Sequence, residues 1–178
     1  MNITDIKKNQ SVRDVHEIAK ELRPIIDNEV KKQCAELDKI LASIPRDINS
    51  IETNEISAKA LALQIELFYL AERQTNAQLY SDIAITVEKN SFAQQYDEAD
   101  GTQSARQTKA LLLSQESQVA KLLYGTIARR LNARIDEGHR LVKTLENIVI
   151  SNRAEAKIRN RGAQRDDDLY SDNNTDNY

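Results

Sequence analysis

The sequence predicts an all-α protein: a long antiparallel helical hairpin with an additional N-terminal helix, packed as a coiled-coil-like bundle. Three observations carry this expectation. The 178 residues are 40% hydrophobic and 30% charged but include only 4 Gly and 2 Pro, so little of the chain is suited to tight turns. The aromatic residues, 6 Tyr and 2 Phe, are too few for a typical β-sandwich. Apolar residues recur at three-, four- and seven-residue intervals over three long stretches, which is the period of one helix face.

The first helix is expected over 11–44, where Val15, Leu22, Ile26, Val30, Leu37, Leu41 and Ile44 share a face. Pro24 lacks an N–H and disfavours helix at Arg23, which predicts a kink there. The stretch "SIPRDINS" closes the segment. Pro45 stops the helix, and Asp47, Asn49 and Ser50 supply turn and cap chemistry.

The second helix is expected over 54–90. Its middle, "ALALQIELFYLA", is apolar nearly all round, the mark of a helix covered on more than one side. Asn76, Gln78 and Ser81 thin the pattern towards its end. "SFAQQYDEADG" reads as the connection, with Asp100 and Gly101 as turn residues. Asp100 with Gln103, or Ser104 with Gln107, has the spacing of a capping box. The acidic run is not a calcium loop: with Gly101 in the sixth position, the first ligand position falls on Tyr96.

The third helix is expected over 102–156. Gly125 and Gly138 each cost it about 1 kcal/mol relative to alanine, and Gly138, in "DEGHR", is where a break is expected. These elements place residues 1–160 in a single helical domain. Residues 161–178 are polar and without periodicity, which predicts a disordered acidic tail.

Charge is unevenly distributed. Met1 to Ala105 balances at −6, Arg106 to Arg165 at +8 and Asp166 to Tyr178 at −5, which together make the net −3. A basic block between acidic ones fits a polyanion-binding surface, or pairing of the blocks within one bundle. On a helical wheel Val119, Leu123, Ile127, Leu131, Leu145 and Val149 fall in one sector, with Lys121, Arg129, Arg140 and Lys143 roughly opposite. Those four are the candidate nucleic-acid-binding residues. Arg130 and Arg134 fall inside the apolar sector. They either flank the core with their stems buried and heads in water, or sit on a subunit interface.

The inventory of reactive groups points away from an enzyme. His16, in "VHEIAK", lacks the second histidine of a zinc-protease motif, because Lys20 stands there. Four scattered glycines do not make a phosphate loop. Asp136 and Glu137 are adjacent and splay apart on a helix. Neither a metal nor a cofactor is called for. Cys34 is the only cysteine, so no intrachain disulfide forms, and a reduced setting is expected. No apolar run approaches the roughly 20 residues that span a bilayer, and "MNITDIKKNQ" lacks a secretory apolar stretch. A cytoplasmic location, without membrane contact, is the expectation.

Residues from about Ala58 to Ser151 resemble the UvsY-type recombination mediators of tailed phages. The similarity lies in the order of features: "NAQLYSDIAITVEKN", a short acidic connection, then "SARQTKALLLSQESQVAKLLYGTIARRLNARIDEGHRLVKTLENI". Tyr80 and Tyr124 are the matching aromatics, and Val119 to Ile148 the matching periodic core. The chain departs from that pattern in its extra N-terminal helix, its acidic tail and the scarcity of bases on the second helix, where Lys59 and Arg73 stand nearly alone. No DNA-contacting residue therefore carries over by position. The resemblance implies a ring-forming homo-oligomer in the host cytoplasm that binds single-stranded DNA and helps to load a recombinase. The residues alone also allow a helical structural or scaffolding component of a phage particle, or a small inhibitor or adaptor that binds another protein.

Overall fold

The computed structural model describes residues 10–45, 47–48 and 51–172, and the side chains of 17–45, 47–48, 51–111 and 114–159. The described residues form five helices and no strand: α1 (Gln10–Gln33), α2 (Ala35–Ala42), α3 (Thr53–Glu98), α4 (Gln103–Leu113) and α5 (Gln115–Asp172). The protein is all-α, and its two long helices, α3 and α5, pack against each other as a hairpin.

Helix α1 runs through Pro24, which the sequence marks as its weak point. Pro24 is exposed, so the carbonyl deprived of its partner by the proline can bond to water instead. The interruption falls ten residues later, at Cys34. There the Cys34 N–H still donates to the Val30 carbonyl at 2.9 Å, but the Gln33 carbonyl accepts from Arg73 Nη1 at 2.6 Å. A cation from another helix thus caps the end of α1. Ile26, Cys34 and Leu37 are the buried residues of the expected stripe, and Leu22, Val30, Leu41 and Ile44 are half-buried. Val15 lies outside the described side chains. After α2, Ser43 N–H bonds to the Lys39 and Ile40 carbonyls and Ser43 Oγ donates to Ile40 O, before Pro45 ends the run. Asn49 and Ser50 lie outside the described residues.

Helix α3 extends eight residues past its expected end, to Glu98. Its buried seam consists of Ile56, Ala60, Leu63, Leu67, Leu70, Ala77, Ser81 and Ala84, and the charged Glu66 is buried beside it. Steps of four and three, with the seventh-residue return, make this a heptad seam of the kind that packs one helix along another. On α5 the matching seam is Ala128, Leu131, Ile135, Gly138, Val142, Leu145 and Val149, all buried. Both seams mix leucines with alanine, serine or glycine, and small residues let the two backbones approach closely.

Gly101, the one described residue with positive φ, at 114°, makes the turn before α4. The cap is Thr102 rather than either expected pair, and its side chain accepts from the Ala105 N–H. Ser114 separates α4 from α5. Its hydroxyl donates to the Leu111 carbonyl at 3.0 Å and accepts from Gln118 Nε2 at 3.1 Å, a side-chain competition that loosens a helix locally. No break occurs at Gly138, which is inside α5. A Cβ there would meet Leu67 Cδ2 at 2.4 Å, so this glycine serves close packing rather than a bend. Helix α5 also continues beyond 156, through the stretch expected to be disordered, as far as Asp172. Ala154, Ala156 and Ala163 are strong helix formers there, and Arg159 lies 4.0 Å from Glu155 one turn earlier. Residues 173–178 of the expected tail lie outside the described residues.

Contacts sort the described residues into two compact units. Among the described residues, one contains those up to Glu36 with Phe68–Asp136, and the other Leu37–Leu67 with those from Glu137 onward. Within the first, Glu88 meets Lys121 and Ser81 meets Gly125, so the helices run antiparallel. Within the second, Leu67 meets Gly138, while Ala60 and Leu61 line a surface with Val149 and Ile150. The direction is again antiparallel.

Candidate functional site

The six singled-out cations have different surroundings. Lys121 Nζ is 3.2 Å from Glu88 Oε2 across the α3–α5 contact, so it holds the hairpin together. Arg129 is exposed and lies along its own helix, with Nε donating to the Gly125 carbonyl and Nη2 to Thr126 Oγ1, both at 3.2 Å. Arg130 Nη1 donates to Asp27 Oδ1 of α1. Asp27 also sits 3.8 Å from Arg23 Nε, so one carboxylate serves two guanidinium groups. Arg130 remains 43% exposed in side-chain terms, and the wheel's apolar sector here is a lateral face shared with α1. Arg134 is half-buried and has a polar or ionic partner. Arg140 and Lys143 are exposed and belong to the other unit.

The structure therefore separates the basic block into two groups. Lys121 and Arg130 neutralise acids of α3 and α1. Arg129, Arg140 and Lys143 are exposed and have no ion pair with a described side chain. Lys109, Arg153 and Lys157 on α4 and α5 are also exposed.

A second feature of the first unit is a cleft of about 570 Å³ between α1, α3 and α5. Tyr80 and Tyr124 stand at it with ring centroids 5.2 Å apart and planes at 38°. Glu29, Gln33, Arg73 and Asn76 supply its polar lining. Gln33 Nε2 donates to Glu29 Oε1 at 2.7 Å, and the capping bond of Arg73 to the Gln33 carbonyl fixes the guanidinium there.

A third feature is the outer side of α3. Opposite the buried seam, the first unit exposes Phe68, at 73%, with Leu79, Ile83 and Val87, and the second exposes Leu61 and Ile65. The helix that the sequence marks as covered on several sides meets α5 and α1 but leaves these apolar residues exposed.

Of the reactive groups, Cys34 is buried and His139 is exposed, and the side chain of His16 lies outside the described residues. Among the described residues no three His, Cys, Asp or Glu side chains are grouped to hold a metal ion. No helix among them is long and apolar enough to cross a membrane.

These features define a helical hairpin protein with solvent-facing cations and an uncovered apolar helix face. No family model matches the chain, and no curated protein or solved structure is significantly similar to it.

Sequence reasoning missed Arg73 as a structural residue, because only the tertiary contact reveals that it caps α1. It also grouped Lys121 with the solvent-facing bases. The nearest signal was Glu88, an acid placed where an antiparallel partner brings it to Lys121.

Proposed function

We propose that this chain is a self-associating helical protein that binds single-stranded DNA as a recombination or replication accessory. The observation that carries the reading is the supply of exposed cations on α4 and α5. Lys109, Arg129, Arg140, Lys143, Arg153 and Lys157 are all exposed, and none is ion-paired to a described side chain. Cations held this way attract phosphates and release condensed counterions, giving salt-sensitive affinity without sequence preference. Self-association is supported by the outer side of α3, where exposed Leu61, Ile65 and Phe68 precede Glu72 and Asn76, and exposed Leu79, Ile83 and Val87 follow them; a monomer rarely leaves clustered apolar side chains of this kind in water.

The test is fluorescence anisotropy of a labelled oligothymidylate across a salt series, beginning at about 50 mM. Binding is expected, with affinity falling linearly on logarithmic axes. Replacing Arg129, Arg140 and Lys143 with Gln flattens that slope by up to about one unit for each phosphate that is no longer neutralised. Absence of binding at the lowest salt contradicts the reading.

A second reading is favoured by one observation. Lys121 and Arg130 are engaged within the chain while the outer face of α3 is open, a combination that also suits a structural or scaffolding component of a phage particle. That reading predicts assembly without DNA binding, and the same titration separates the two.

A further inference from the structure

We infer that the cleft between α1, α3 and α5 is a nucleobase-binding subsite, with Tyr80 and Tyr124 as its stacking platform. This rests on the single-strand-binding reading and adds to it a place where a base, as distinct from a phosphate, is held. Three properties of the cleft lead there.

The first is size: at about 570 Å³ it falls within the range of sites that take a small organic ligand. The second is the aromatic pair. Aromatic residues are scarce in this chain, with 6 Tyr and 2 Phe in 178 residues, yet two of them meet at this cleft. Tyr80 keeps 54% of its surface exposed. Burial in a core therefore does not account for it, whereas stacking on a base makes use of a ring that is accessible and held in place.

The third property is charge. The polar lining contains one carboxylate, Glu29, and one guanidinium, Arg73, so the cleft is close to neutral. A site for phosphate carries an excess of positive charge, and the exposed cations of α4 and α5 lie elsewhere. A neutral pocket with a planar cation, two amides and two phenol rings matches a base. Bases stack on aromatic and guanidinium planes and pair their edges with amides such as those of Gln33 and Asn76. Arg73 is held in position by its bond to the Gln33 carbonyl. It is therefore already ordered before any ligand arrives.

The resulting division is specific: phosphates bind exposed cations, and one base of the strand enters the cleft. The experiment compares an oligothymidylate with an abasic strand of the same length and backbone charge, using the full chain at fixed salt. The expected result is at least about tenfold tighter binding of the strand with bases, as stacking on one aromatic site provides. Tyr80→Leu and Tyr124→Leu bring the two affinities together, while Tyr80→Phe and Tyr124→Phe keep them apart. A photoreactive halogenated base in the strand forms its cross-link to Tyr80 or Tyr124, read by mass spectrometry on the unmodified protein. That readout does not depend on the folding of any variant.

Equal, salt-sensitive binding of both strands, with cross-links outside the cleft, overturns the subsite and leaves the single-strand reading intact. No binding of either strand overturns both.

Discussion

Two glycines on α5 that look equivalent in the sequence are predicted to respond to alanine differently: Gly138 with a loss of stability and Gly125 without one. Each Gly→Ala change gains about 1 kcal/mol of intrinsic helix stability. At Gly138 the new Cβ would lie 2.4 Å from Leu67 Cδ2, 3.0 Å from Cδ1 and 3.2 Å from Cγ. Unstrained carbon–carbon contacts lie at about 3.5–4.0 Å, so the overlap exceeds 1 Å against the nearest atom. Leu67 is 1% exposed, so it has to shift inside the packed seam to relieve the overlap. Overpacking of this sort costs about 1–3 kcal/mol; at the upper half of that range the propensity gain is outweighed, leaving a net loss of about 1–2 kcal/mol. At Gly125 the nearest atom is Ser81 Oγ at 3.1 Å, a hydroxyl whose bond to the Lys121 carbonyl is already long at 3.4 Å. It yields at little cost, so Gly125→Ala is expected to be neutral or to stabilise by about 0.5 kcal/mol.

Urea denaturation followed by circular dichroism measures both as shifts in midpoint at constant slope. A double variant adds a check. Leu67→Ala alone costs about 2–5 kcal/mol through the cavity it leaves. Combined with Gly138→Ala, which has no clash once the leucine is gone, it costs less than the sum of the two by about 1 kcal/mol or more. Equal midpoints for Gly125→Ala and Gly138→Ala, or additive behaviour of Leu67 and Gly138, refute the close-packing explanation of Gly138.

Three further outcomes are expected. Arg73→Gln removes the cation that caps α1 at the Gln33 carbonyl and lowers stability by about 1–2 kcal/mol in the same urea assay. Arg130→Gln breaks the exposed pair with Asp27 and costs no more than about 1 kcal/mol, less than a buried or interfacial arginine would; a larger loss means that Arg130 has a second role, such as a subunit contact. Phe68→Ser combined with Ile83→Ser lowers the solution mass by light scattering while helix content by circular dichroism is unchanged, because both side chains lie on the exposed side of α3; an unchanged mass removes that face from the assembly.

The fold was readable in the sequence wherever one local pattern decided the outcome. The apolar periods give three helical stretches and the pairing of the last two, and Gly101 marks the turn between them. The wheel placed Leu131, Leu145 and Val149 on the buried side of α5, where they are found. Errors arose where tertiary contact overrides local preference. Pro24 is tolerated because its side of α1 faces water, and the break moves to Cys34 because a distant arginine takes the Gln33 carbonyl. Gly138 reads as a hinge by propensity, yet it is the point of closest approach to Leu67. At the candidate site the same rule holds. Exposure of Arg129, Arg140 and Lys143 follows from their wheel positions. The capture of Lys121 by Glu88, some thirty residues away in sequence, depends on the register of the hairpin.

Sedimentation velocity recorded at separate wavelengths for protein and for a labelled oligothymidylate tests the central claim most directly. One run at micromolar protein and about 50 mM salt reports both self-association and strand binding. The account predicts a protein boundary well above the 20.2 kDa of one chain, carrying the strand with it. A boundary of single-chain mass, with the oligothymidylate sedimenting separately, contradicts it.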